Sequence, residues 1–158
     1  MSGQGATTVS VREALLEHGW QVFFTCLPNA AHVNVVPIPV RGGSSRQRYP
    51  DILASRNEIT LLVEVEVSLT EAVVENAILR FGEQLSALSD PRTWTMYKAK
   101  IGGICGFELP AQFLGIAALV TCKPISPRCD RLVSELARAE ILVCTASRLA
   151  IFLDELRT

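Results

Sequence analysis

The spacing of hydrophobic residues changes period several times along this chain, and each change marks an element. Residues Ile59 to Val67, ITLLVEVEV, start as a continuous apolar run and end in strict alternation. The first half predicts a buried central strand. In the second half Val63, Val65 and Val67 point one way and Glu64 and Glu66 the other. From about Thr70 to Leu88 the period lengthens: Val74, Ala77, Ile78, Phe81, Leu85 and Leu88 form one helical stripe. Ser68 or Thr70 can cap that helix, Glu71 suits its first turn, and Asp90-Pro91 ends it. Upstream, residues 10 to 18 predict a helix with Val11, Ala14 and Leu15 on one face, Ser10 and Glu13 as a capping box, and Gly19 as its stop. Trp20 to Thr25 reads as a strand, residues 34 to 40 as extended around Pro37 and Pro39, and Asp51 to Ala54 as a short strand before a turn at Asn57. Downstream, residues 92 to 112 have no clear period, and Gly102, Gly103 and Gly106 suggest turns. Gly115 to Cys122 predicts a strand, Arg128 to Ala139 a helix, Ile141 to Cys144 a strand and Ser147 to Leu156 a closing helix. The expected fold is α/β, a central mixed sheet flanked by helices. It forms one domain, 9–158, after a flexible polar stretch, 1–8.

Composition narrows the class of protein. A chain of 158 residues that is 49% hydrophobic can bury a core, and at 6% aromatic that core is mostly aliphatic. The net charge of −1 gives no overall pull toward nucleic acid, so any polyanion site must come from local clustering. No apolar run has the ~18 residues of a membrane helix, and the start lacks the features of a signal peptide. Five cysteines (Cys26, Cys105, Cys122, Cys129 and Cys144) form no C-x-x-C pair, and only His18 and His32 could join them around zinc. The expectation is a cytoplasmic protein whose cysteines are mostly small buried hydrophobes.

Glu64 and Glu66 are the first candidates for chemistry. Two carboxylates on one face of a core strand repel each other and lose hydration. A hard divalent cation such as Mg²⁺ or Mn²⁺ would neutralise them. An edge strand with one solvated face would explain them without a site. Asp51 adds weight to the cation, because a hairpin between its strand and the next brings it beside Glu64. Arg41, Arg46 and Arg48 lie in the RGGSSRQR loop leading to Asp51, where phosphate oxygens are their natural partners. Lys98 and Lys100 form a second small basic cluster. No Gly-rich phosphate loop is present.

Pro50-Asp51, twelve residues, then Glu64-Val65-Glu66 resembles the motif of the PD-(D/E)XK, or restriction endonuclease-like, nuclease superfamily, in its E-x-E form. The family's usual order of helix, three strands, helix, strand is similar to the order predicted up to residue 122. The resemblance implies a metal-dependent endonuclease acting on DNA with Mg²⁺ or Mn²⁺. Asp51 and Glu64 would be ligands, the Val65 carbonyl a further ligand, and Glu66 would bind metal or orient water. It points to Glu13 or Glu17 as an accessory acid, and to Arg80 and Gln84 on the following helix as site or nucleic-acid contacts. Small nucleases of this kind often form homodimers, though no residue here demands it. Glu66 stands where the family most often has Lys. That departure leaves room for a non-catalytic nucleic-acid-binding or protein-interaction module on the same fold.

Overall fold

In the computed structural model, which describes residues 3–27, 34–40 and 49–155, the strands follow one another across a single sheet in chain order. They are β1 (Gln21–Thr25), β2 (Ile52–Arg56), β3 (Ile59–Glu66), β4 (Gly115–Thr121) and β5 (Ile141–Thr145). The first three form an antiparallel meander, and β3, β4 and β5 run parallel. The hairpin between β2 and β3 turns at Asn57, whose φ of 55° is a left-handed conformation that asparagine tolerates well. With neighbours on both edges, β3 is the middle strand, which is why Leu61, Leu62 and Val63 are fully buried.

Parallel strands need crossovers, and helices supply them. From β3 to β4 the chain passes through α2 (Glu71–Ser89) and α3 (Pro91–Cys105); from β4 to β5 it passes through α4 (Asp130–Arg138). Crossovers of one hand that advance across a sheet in one direction fall on one face. Accordingly Phe81 and Leu88 of α2, Trp94 and Tyr97 of α3, and Leu136 of α4 share a core with Leu53, Leu62 and Leu119 of the sheet. The opposite face carries α1 (Gly3–Glu17) and α5 (Ala146–Glu155). There Val11, Leu15, Leu149 and Leu153 pack on Ile52, Leu61, Val63 and Val65. The molecule is thus a five-stranded mixed sheet between two helical layers. No helix among the described residues is long and apolar enough to cross a membrane.

Two stretches differ from the sequence reading. Helix α1 begins at Gly3, so residues 3–8, expected as a flexible lead, are its first turns, and the expected boundary at residue 9 falls inside it. Ser10 and Glu13 are therefore interior helical positions and not a capping box. Thr8, Val11 and Leu15, all buried, extend the apolar stripe at helical spacing. Residues 91–105, most of them in the 92–112 stretch that shows no clear period and whose glycines suggest turns, form α3. Asp90 closes α2 and caps α3, its Oδ2 accepting from the Thr93 amide at 3.0 Å, with Pro91 in the first turn. Gly102 and Gly103 lie inside that helix, and Gly106, at φ 78°, caps its end. All five cysteines are free; Cys26 and Cys144 are buried, the other three half-buried.

Candidate functional site

The site arises because β3 is longer than its antiparallel neighbour. The last residue pair of that ladder is Ile52 with Val63. Beyond it β3 continues through Glu64, Val65 and Glu66, while β2 has already ended at Ile52. On that side Val65 has no strand opposite, and side chains replace one. The Val65 amide donates to Asp51 Oδ2 at 2.7 Å, and the Val65 carbonyl accepts from Gln4 Nε2 of α1 at 2.6 Å. The amide contact holds the Asp51 carboxylate at the open end of the hairpin. The Asp51 carbonyl in turn accepts from the Cys26 amide at 2.7 Å, tying the segment to the end of β1.

Glu64 faces the α2 layer and is 5% exposed. Burial pushes its carboxyl well above the ordinary range, the Asp51 charge adds to this, and a hydrogen bond between the two carboxyls raises it further; only Arg80 opposes the shift. Glu66, half-buried, is raised first by burial and then by Asp51, again against Arg80. The same charges act on Cys26, whose thiol is pushed up to about 12 by burial, Asp51 and Glu64. It stays a neutral thiol, with Sγ 3.5 Å from the Pro50 carbonyl. Asp51 thus acts on both Glu64 and Glu66 at one end of the central strand.

Helix α2 contributes the positive charge. Arg80 Nη2 lies 3.0 Å from Glu64 Oε1. The approach is off the hydrogen-bonding direction, leaving Oε1 buried without a directed donor. The same nitrogen donates to the Tyr49 carbonyl at 3.4 Å, just before the Pro50-Asp51 step. One turn further along α2, Gln84 is 2% exposed and its Oε1 also lacks a donor. Gln84 therefore lies on the helix's inner face, toward the sheet, and not on a solvated one.

The remaining sequence candidates are dispersed. Arg41, Arg46 and Arg48 lie outside the described residues. Glu13 and Glu17 are exposed on α1, which covers the face of the sheet opposite Glu64, so neither joins the carboxylates. Lys100 is exposed and Lys98 half-buried on α3. Two residues at the site were not singled out by the sequence. Gln4 sits in a stretch without hydrophobic pattern and has no sequence signal. Cys26 had one: it directly follows the strand that must flank the Asp51 segment.

Asp51, Glu64 and Glu66 offer hard oxygen donors, and a buried carboxylate oxygen without a directed donor suits a hard cation better than a solvated carboxylate would. Among the described residues, no three His, Cys, Asp or Glu side chains already converge as a ready-made metal centre. The position is the one open α/β sheets use for ligands, the carboxyl ends of the parallel strands. No known protein family, curated protein or solved structure matches the chain.

Proposed function

We propose that this domain is a divalent-cation-dependent phosphodiesterase acting on nucleic acid, most simply DNA, on a restriction endonuclease-like fold with an E-x-E motif. The observation that carries the reading is Glu64, a buried carboxyl at the end of the central strand that shares its surroundings with the half-buried Asp51 carboxyl, with Arg80 the described cation beside it. The element order supports it: a helix, three meandering strands, helical crossovers, then a parallel strand. Asp51 and Glu64 would hold Mg²⁺ or Mn²⁺, with the Val65 carbonyl on the same side, already engaged by Gln4 but with a second lone pair. The cation would supply Lewis-acid polarisation of the phosphoryl group. Glu66, partly exposed and raised in pKa, is suited to orient the attacking water and take its proton. Asp51 positions its carboxylate through the Val65 amide, so little reorganisation accompanies binding.

A binding module without turnover is the second reading, favoured by the Arg80–Glu64 contact, through which the site partly neutralises itself. One experiment separates the two. Thermal melts are recorded in Mn²⁺ and in chelator, alongside nicking of supercoiled DNA. Saturating a site a hundredfold above its Kd stabilises by about 2.7 kcal/mol, several degrees in Tm. A Mn²⁺-dependent rise with cleavage supports the nuclease. A rise without cleavage supports the module, and a Tm indifferent to millimolar Mn²⁺ removes the cation from the account.

A further inference from the structure

Arg80 is held in an unusual way. Its guanidinium stands beside Glu64, a buried carboxylate, yet meets Oε1 off the hydrogen-bonding direction. Among the described residues, its other polar contact at the site is a long hydrogen bond, 3.4 Å, to the Tyr49 carbonyl. Its side chain is 29% exposed, whereas that of Glu64 is 7% exposed. A guanidinium that belonged to the architecture would make aligned, preferably bidentate, contacts to carboxylate oxygens. This one supplies charge at close range from a side chain that stays partly solvated, and among the described residues Nη2 alone of its nitrogens makes a polar contact. Glu64 cannot leave, being fixed on the central strand; Arg80 can, being on a long, partly solvated side chain.

Resting on the cation-site reading above, we infer that Arg80 is a resident counter-ion that yields Glu64 to an incoming divalent cation and is thereby freed to engage the phosphodiester. A guanidinium and a divalent ion repel each other and compete for the same oxygen, so the two cannot occupy Glu64 together at full strength. Displacement swings a planar, five-donor cation out at the mouth of the site, where phosphate oxygens would take it up in place of the carboxylate. Cation and polyanion binding are then coupled: the first releases the side chain that the second uses. Arg80 acts as a positioning residue for metal loading and as a contact for the substrate.

The test compares the intact protein with Arg80→Met, which keeps the apolar stem and removes the charge, and with Arg80→Lys. Mn²⁺ affinity is read by calorimetry and by the metal-dependent rise in Tm. Losing a half-exposed competing charge should tighten Mn²⁺ binding by roughly fivefold. Tm in chelator should fall, and the Mn²⁺-induced rise should grow. Arg80→Lys should remain near the parent. Binding of a DNA duplex in Ca²⁺ should weaken in Arg80→Met and lose part of its salt dependence. Should Arg80→Met not fold, nitrogen-15 spectra of the unaltered protein still decide: Mg²⁺ should speed solvent exchange of the Arg80 guanidinium protons, and DNA should slow it again. Equal loss of Tm with and without Mn²⁺, weaker Mn²⁺ binding in Arg80→Met, or an Arg80 signal indifferent to Mg²⁺ would overturn the inference. If the unaltered protein binds no Mn²⁺, what has failed is the cation site itself.

Discussion

Asp51 and Arg56 bracket the same five-residue strand, β2, and each anchors a cluster of buried charge built on opposite terms. At the far end, Arg56 is 8% exposed in its side chain and makes three hydrogen bonds. Its Nη1 donates to the His18 carbonyl at 2.9 Å and to Asp154 Oδ1 at 3.0 Å, and its Nη2 donates to the Leu153 carbonyl at 3.4 Å. The guanidinium also lies 4.7 Å from the centre of the Trp20 ring. His18 directly follows α1 and Leu153 lies in the last turn of α5, so the cation sits where two helices expose carbonyls and the negative ends of their dipoles. Asp154 Oδ2 is further held by His18 Nδ1 at 3.0 Å. Both helix-end carbonyls and the Asp154 carboxylate have donors, although the buried Trp20 Nε1 has no acceptor among the described residues, and the group clamps both helices to the sheet.

At the near end, among the described residues, Arg80 is the guanidinium that Glu64 and Glu66 feel, one buried Glu64 oxygen lacks a directed donor, and the Gln84 carbonyl on the same helix layer lacks one too. Buried charge by itself therefore distinguishes neither cluster. What separates them is which group is left over: where every acceptor has a donor the arrangement is a brace, and where buried acceptor oxygens lack one it is disposed toward something cationic.

The contrast is tested most severely at Arg56. Arg56→Met should cost about 3 kcal/mol, because two helix-end carbonyls lose their donor and the Trp20 ring its cation. Urea unfolding measures this, and a loss below about 1 kcal/mol would show the clamp to be ornamental. Glu64→Gln should go the other way, stabilising the cation-free protein by about 1 kcal/mol near neutral pH as the excess charge is removed, while abolishing stabilisation by Mn²⁺. A Glu64→Gln protein less stable in chelator than the parent would place Glu64 among the braces.

The pH dependence of stability gives the two clusters opposite signs. The Glu64 carboxyl is raised above 4.5 in the folded state, so between 4.5 and that higher value the folded protein holds a proton there that the unfolded chain has released. Stability should rise as pH falls from neutral toward 4.5, and Glu64→Gln should flatten that slope. The Asp154 carboxyl is lowered below 3.8, chiefly by its hydrogen bond from Arg56. Its contribution is present above that value and is lost as pH falls through the lower folded one. Asp154→Asn should thus alter the profile only at the acid end. The smallest expected effect is at Glu66. Half-buried and screened, it should yield only a few tenths of a kcal/mol of cation-free stability on change to Gln, while Mn²⁺ binding weakens and any cleavage disappears. Unchanged metal response in Glu66→Gln would confine the site to Asp51 and Glu64.

Much of this was legible along the chain wherever the hydrophobic period was long and its ends were marked. β3 and α2 fall within a residue of their expected limits, since an eight-residue apolar-to-alternating run and a nineteen-residue stripe capped by Thr70 admit little else. The stretch from residue 92 to 112 gave no clear period, and its glycines suggested turns because they weigh heavily in a local reading. Yet Trp94, Tyr97 and Ile101 carry a helical stripe, and burying it outweighs two interior glycines at about 1 kcal/mol each. At the other end, Ser10 resembled a cap only because Gly3 to Thr8 lack strong apolar residues; packing against the sheet, not propensity, carries α1 that far.

The sequence by itself determined which residues share a face. Alternation in β3 put Glu64 and Glu66 on one side and Val63 and Val65 on the other, and the short Asn57 turn set Asp51 opposite Glu64, because strand period and hairpin register are local properties. Only the tertiary structure decided what those carboxylates meet. That Gln4 closes the Val65 carbonyl, that Cys26 stands behind Asp51, that Arg80 reaches Glu64 and that Arg56 joins two helix ends all depend on how layers distant in sequence are stacked. Burial and charge balance are sums over such neighbours, so no local pattern contains them.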